Sequence, residues 1–149
     1  MVAIPFSVYS STFSIGSIHK FKSPKILNSP DAHCFILVGI CPEAKNYIFH
    51  VFTSKLEKKI AFIKQRKLDY STLVPVKPDG KNRMWHQDNC VNCNDPLPHT
   101  INELEGIYNS TGIEPWGQIE DSHLEQVYIG THKSPMVDGW IKDIVPKTI

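Results

Sequence analysis

No stretch of this 149-residue chain reaches the roughly 18 consecutive apolar residues that a membrane-spanning helix needs. The opening residues, MVAIPFSVYSSTFSIG, also lack the basic start and long apolar run of a secretory signal. The expected location is therefore the cytoplasm, where Cys34, Cys41, Cys90 and Cys93 stay reduced. An excess of one charge is missing too. Sixteen Lys and Arg stand against 15 Asp and Glu, a net charge of +1, so any contact with a polyanion has to come from a local patch. There is no glycine-rich phosphate loop and no dinucleotide fingerprint. Internal repeats and low-complexity tracts are absent as well. With 41% hydrophobic residues at this length, one domain can bury a core without staples.

What is present is a run of short apolar strands. Pro5 and the serines at 7, 10 and 11 predict an irregular arm over residues 1–12, ahead of a single domain at 13–149. Residues 13–21 read as a strand interrupted by Gly16. Residues 33–41 form a continuous apolar run, the mark of a strand buried on both sides. A polar turn leads to an alternating strand at 46–52, so the two make a hairpin. Residues 71–76 read as a strand ended by the turn Pro78-Asp79-Gly80, and 84–94 as another closed by Pro96 and Pro98.

The period then changes. Thr100-Ile101-Asn102-Glu103 is a capping box, and Ile101, Leu104, Ile107 and Tyr108 supply a helical stripe behind it. Gly112, Pro115 and Gly117 are expected to break the chain before a helix that starts at Asp121 or Ser122. Ser134-Pro135 reads as the cap of a third helix. Strands at 13–94 followed by helices at 100–146 indicate an α+β fold: a small, SH3-like, strongly curved antiparallel β-barrel with C-terminal helices.

This order of elements resembles the PemK/MazF-type toxins of bacterial toxin–antitoxin systems, over roughly residues 14–137. Gly16-Ser17-Ile18-His19 resembles the family's first strand, the run from Cys34 to Ile40 its second, and Phe52-Thr53-Ser54 its Ile/Val-Thr-Ser element. Trp85 to Cys93 is similar to its late strand, and Gly117-Gln118-Ile119-Glu120 to its closing element. His33-Cys34 stands where the family has Arg-Pro, and Asn89 where it has a serine. The resemblance implies an SH3-like barrel that cleaves single-stranded RNA as a homodimer under the control of an antitoxin protein. The nucleophile would be the substrate's own 2′-hydroxyl, so the chemistry calls for no metal and no cofactor.

Such a reaction needs proton transfer and positive charge around the phosphate. His33 is the candidate for the first, although a solvated histidine at a strand entrance is the plainer reading. His86, with Asp88 two residues on along the same strand face, is the second candidate. Thr53 and Ser54 can donate hydrogen bonds to a phosphoryl oxygen or cap the turn that follows them. Residues 55–67 carry Lys55, Lys58, Lys59, Lys64, Arg66 and Lys67 against Glu57, at near-helical apolar spacing. With Arg83 they are candidates to follow an RNA backbone, and Trp85 and Trp116 to stack bases. His50, between Phe49 and Val51, reads as a satisfied core histidine.

The Cys90–Cys93 spacing raises zinc, but Cys34 and Cys41 stand ~23 Å apart along one extended strand, and buried thiols are the better account. A reading from another class is a non-catalytic barrel that binds a protein or nucleic-acid partner, the family's arginine being absent.

Overall fold

A computed structural model describes residues 4–27, 29–76 and 89–149. Among these residues six strands form one antiparallel sheet: β1 (Ser17–Phe21), β2 (His33–Cys41), β3 (Asn46–Thr53), β4 (Leu73–Val76), β5 (Asn89–Thr100) and β6 (Ile113–Gln118). Their spatial order is β4-β5-β3-β2-β1-β6. The α+β class and the antiparallel sheet agree with the sequence reading. The sheet is not closed, because the edge strands β4 and β6 do not pair with each other.

β2 explains why its sequence is apolar throughout. Phe35 and Leu37 point into one core with Phe21, Phe49, Leu104 and Ile113. Ile36 and Val38 point into the other with Val74, Val91, Val127 and Ile141. A central strand covered on both faces has no polar side to show.

Among the described residues five α-helices do the covering: α1 (Phe6–Tyr9), α2 (Leu56–Arg66), α3 (Ile101–Ser110), α4 (Asp121–Lys133) and α5 (Gly139–Ile144). Within the expected irregular arm, Phe6–Tyr9 form a helical turn. Phe6 and Tyr9 of α1, with Phe13, pack against the face that α3 also covers, and the Tyr9 and Tyr108 rings lie 5.0 Å apart. Burying aromatic rings outweighs the weak helix preference of a serine-rich segment. The capping box is present: Thr100 Oγ1 accepts from the Glu103 amide at 3.1 Å, and Glu103 Oε1 from the Thr100 amide at 2.9 Å. Thr100→Ala is expected to lower stability by about 1 kcal/mol, read from a urea unfolding curve.

Three expectations about boundaries fail for reasons of tertiary context. β5 runs through Pro96 and Pro98 to Thr100. Proline is tolerated there because β4 pairs with β5 only over residues 89–92, leaving the rest of that side without a strand to bond. The segment with Gly112, Pro115 and Gly117 is not a break but the edge strand β6, paired to β1. The third helix starts at Gly139, not after Ser134. Ser134 Oγ instead donates to Asn94 Oδ1 at 2.7 Å and accepts from the Met136 amide, tying the loop to β5.

Candidate functional site

The β3 strand ends in Phe52-Thr53, and the chain turns through Ser54 and Lys55 into α2. Phe52 is anchored in the core. Thr53 Oγ1 accepts from the Lys55 amide at 3.1 Å, which shapes the turn and leaves the hydroxyl proton able to donate elsewhere. β2 begins beside this end. Phe35 pairs with Val51, and two residues further on the same register sets His33 level with Thr53.

A cleft of about 840 Å³ opens here. It is lined by consecutive residues of each strand, His33 and Cys34 of β2 and Val51 to Thr53 of β3, so it wraps the end of the sheet instead of lying on one face. Among the described residues, Lys20, Lys25, Lys55 and Lys59 line it against one carboxylate, Asp95. That balance makes it a site for negative charge. Lys25 is partly engaged, 3.5 Å from Glu103 and donating to the Pro98 carbonyl. Lys55 and Lys59 stand one helical turn apart at the start of α2, the end whose unpaired amides also favour anions.

Of the residues singled out from sequence, His33, Thr53, Ser54, Lys55, Lys59 and Trp116 come together in this cleft. Lys58, Lys64 and Arg66 of α2 do not line it, and the Arg66 guanidinium lies 5.4 Å over the Phe62 ring. His86, Arg83 and Trp85 lie outside the described residues. His33 Nε2 is buried without a hydrogen-bond partner among the described residues, an arrangement that costs free energy until something supplies one. Its ring meets Phe35 edge-on at 6.4 Å.

Several lining residues escaped the sequence reading. Asp95 is one, and the signal for it lies in pairing. Phe49 faces Leu97 while Val51 faces Asn92, so β5 spends five residues where β3 spends two. The resulting bulge exposes Asp95 at the cleft, which the largely buried Asn92 also lines, while Asn94 turns inward. Asn94 Nδ2 donates to Thr72 Oγ1 at 2.9 Å and to Asn92 Oδ1 at 3.3 Å, which pins the bulge. Lys20 was missed because a lone lysine in a short strand carries no local signal.

Burial disfavours two of the cysteines as nucleophiles. Burial pushes the Cys34 thiol up to about 11 despite the opposing pull of Lys20, and Cys93 up to about 12. Both are thiols at neutral pH. Cys90 packs with Ile63 and Leu73 while Cys93 joins the main core, on opposite sides of β5. Among the described residues no three His, Cys, Asp or Glu side chains converge as a metal site, and no helix is long and apolar enough to cross a membrane.

The chain matches no family model and no curated protein. Among solved structures, the Mycobacterium tuberculosis toxin MazF-mt6 superposes over 82% of this chain and 98% of that one, with a TM-score of 0.51 and 14% sequence identity. At that level of identity the likeness is one of fold: the protein has a MazF/PemK-like fold.

Proposed function

We propose that this protein is a toxin-type endoribonuclease that cleaves single-stranded RNA through the substrate's 2′-hydroxyl, works in the cytoplasm as a homodimer, and is restrained by an antitoxin protein covering the same cleft. One observation carries the reading: the hydroxyls of Thr53 and Ser54 share a cleft with His33, Asp95 and four lysines, on a fold like that of a MazF toxin.

In the proposed reaction the 2′-oxygen attacks the adjoining phosphorus as Asp95 takes its proton. The phosphorus–5′-oxygen bond breaks, and His33 returns a proton to the leaving 5′-oxygen. The products are a 2′,3′-cyclic phosphate and a free 5′-hydroxyl. The Thr53 and Ser54 hydroxyls donate to the non-bridging oxygens. The lysines balance the charge that grows there in the transition state. His86 remains a second candidate for proton transfer, through its sequence pairing with Asp88. An intramolecular nucleophile needs no metal to generate it, so the reaction is expected to run in EDTA.

The test is incubation of the purified chain with single-stranded RNA in EDTA, with the product ends identified. Cleavage to cyclic phosphate is expected. His33→Ala, Asp95→Asn and Thr53→Val should each slow it by roughly a hundredfold. Products with a 3′-hydroxyl, or cleavage indifferent to all three substitutions, would remove the proposal. Binding without cleavage would assign the cleft to a non-catalytic module. His33 in place of the family's arginine, and Thr53 Oγ1 engaged in shaping its turn, are the features that favour this second reading.

A further inference from the structure

Trp116 is the one residue of β6 that the pairing with β1 leaves over. Pro115 faces His19 and Gly117 faces Ile18, so Trp116 is inserted between two consecutive rungs. Gly117 makes this insertion feasible, with a φ of 134° that side-chain-bearing residues rarely adopt. A bulge of this kind re-aims a side chain, and here it sends the indole into the cleft. The ring is half-buried, packed against the main core on its inner side, and Nε1 donates to Glu114 Oε2 at 3.3 Å. Above the ring sits the Lys20 ammonium, 4.9 Å from its centre. Lys20 itself faces Glu114 across β1–β6 and Cys34 across β1–β2.

We propose that Trp116 and Lys20 form a nucleotide subsite beside the proposed reaction centre: an unpaired base stacks on the indole and displaces the ammonium, which moves to the adjoining phosphate. The proposal deepens the RNA reading and rests on it. A ring that served packing alone would not need a bulge to hold it in a cation-lined cleft. An aromatic face next to a mobile cation is what a single strand meets on its binding platforms, since every base has a face and every linkage a charge. A duplex keeps its base faces stacked internally, so it should bind here only through its phosphates. Because the cleft wraps the sheet end, a strand held at Trp116 continues past Cys34 and Phe52 toward His33 and Thr53.

The experiment measures binding by fluorescence anisotropy, using a labelled single-stranded oligonucleotide whose 2′-positions are all O-methyl, so that it cannot be cut. Trp116→Leu, which keeps apolar bulk but removes the π face, should weaken binding by about tenfold or more, while Trp116→Phe should retain most of it. An oligonucleotide of the same length without bases should bind both variants equally. Lys20→Gln should reduce the slope of log K against log salt by about 0.7, the value for one lost phosphate contact on a single strand. Trp116→Leu should leave that slope unchanged.

Equal loss on the base-free strand, or no loss for Trp116→Leu, would overturn the subsite. So would a wild-type chain that binds no oligonucleotide. The two proposals fail separately. Cleavage without dependence on Trp116 removes only the subsite, and Trp116-dependent binding without cleavage of ordinary RNA removes only the nuclease.

Discussion

Lowering the pH from 7 to 5 is expected to destabilise the fold by about 6 kcal/mol, because three histidines are buried in the neutral form. His19 is held between Tyr9 Oη at 2.9 Å and Ser17 Oγ at 2.8 Å. His50 Nε2 meets Thr131 Oγ1 at 2.8 Å, with Nδ1 unpartnered among the described residues. His99 lies between Ser23 Oγ at 2.8 Å and the Leu97 carbonyl at 3.1 Å. Each is at most 1% exposed. Desolvation lowers them to about 4 for His19, about 3 for His50 and about 4 for His99, where nearby Lys25 adds to the effect.

The direction follows from proton counts. In the unfolded chain each imidazole takes a proton near pH 6.5, whereas the folded protein refuses it until pH 4 or below. Below 6.5 the unfolded state therefore binds more protons, and acid pulls the equilibrium toward it. The stabilisation is complete above 6.5 and is lost progressively as the pH falls toward 4. Each group contributes about 1.36 kcal/mol per pH unit inside that window, or about 2 kcal/mol by pH 5. Against a typical total of about 5–15 kcal/mol, the three together bring the chain close to its unfolding midpoint. Asp69 and Glu103 are also depressed, by their hydrogen bonds to Ser71 and Thr100, but as carboxylates they act only at lower pH. Urea titrations at pH 7, 6 and 5 decide the matter, and equal midpoints across that range would contradict the account.

Gly130→Val is expected to cost more than about 3 kcal/mol, although glycine is among the poorest residues for a helix interior. Gly130 lies within α4, where the helix rests on the tight turn at Tyr70–Thr72. A Cβ there would stand 2.5 Å from the Ser71 carbonyl oxygen, 3.1 Å from Cys93 Sγ and 3.3 Å from Thr72 Cα. Two of these are backbone atoms of a turn fixed by Asp69, whose Oδ1 accepts from the Ser71 amide at 2.8 Å. They cannot swing aside as a flexible side chain would, so α4 has to lift from the sheet. The lift would also disturb Thr131, the partner of His50. Gly106, in the middle of α3, is the control. Nothing lies within 4 Å of its Cβ position, so Gly106→Ala is expected to stabilise by about 0.5–1 kcal/mol. Opposite signs for Gly106→Ala and Gly130→Val in the same thermal melts would show that packing, not propensity, governs α4. A Gly130→Val melt equal to that of the parent would refute it.

Local signals in the chain were sufficient for the β2–β3 hairpin, the Thr100–Glu103 capping box and the turn after Phe52-Thr53. Each rests on side-chain periodicity or on groups three residues apart, and such patterns survive without knowledge of neighbours. The pairing of β2 with β3 sets His33 level with Thr53, a proximity that appears only once the register is known. Local signals alone make β6 a break, since Pro115 and Gly117 are turn formers unless a partner strand claims the residues around them. They also stop β5 at Pro96, where proline is harmless only because β4 has already ended.

Composition and pattern alone thus determined the α+β class, the buried central strand and the hydroxyl pair at the end of β3. The folded arrangement decided that Lys20, Asp95 and Trp116 join His33 and Thr53 in one cleft. Bulges in β5 and β6 bring two of those residues there, and a bulge exists only as a mismatch between paired strands. A mismatch belongs to neither partner, so it cannot be read along either segment until the two lie side by side.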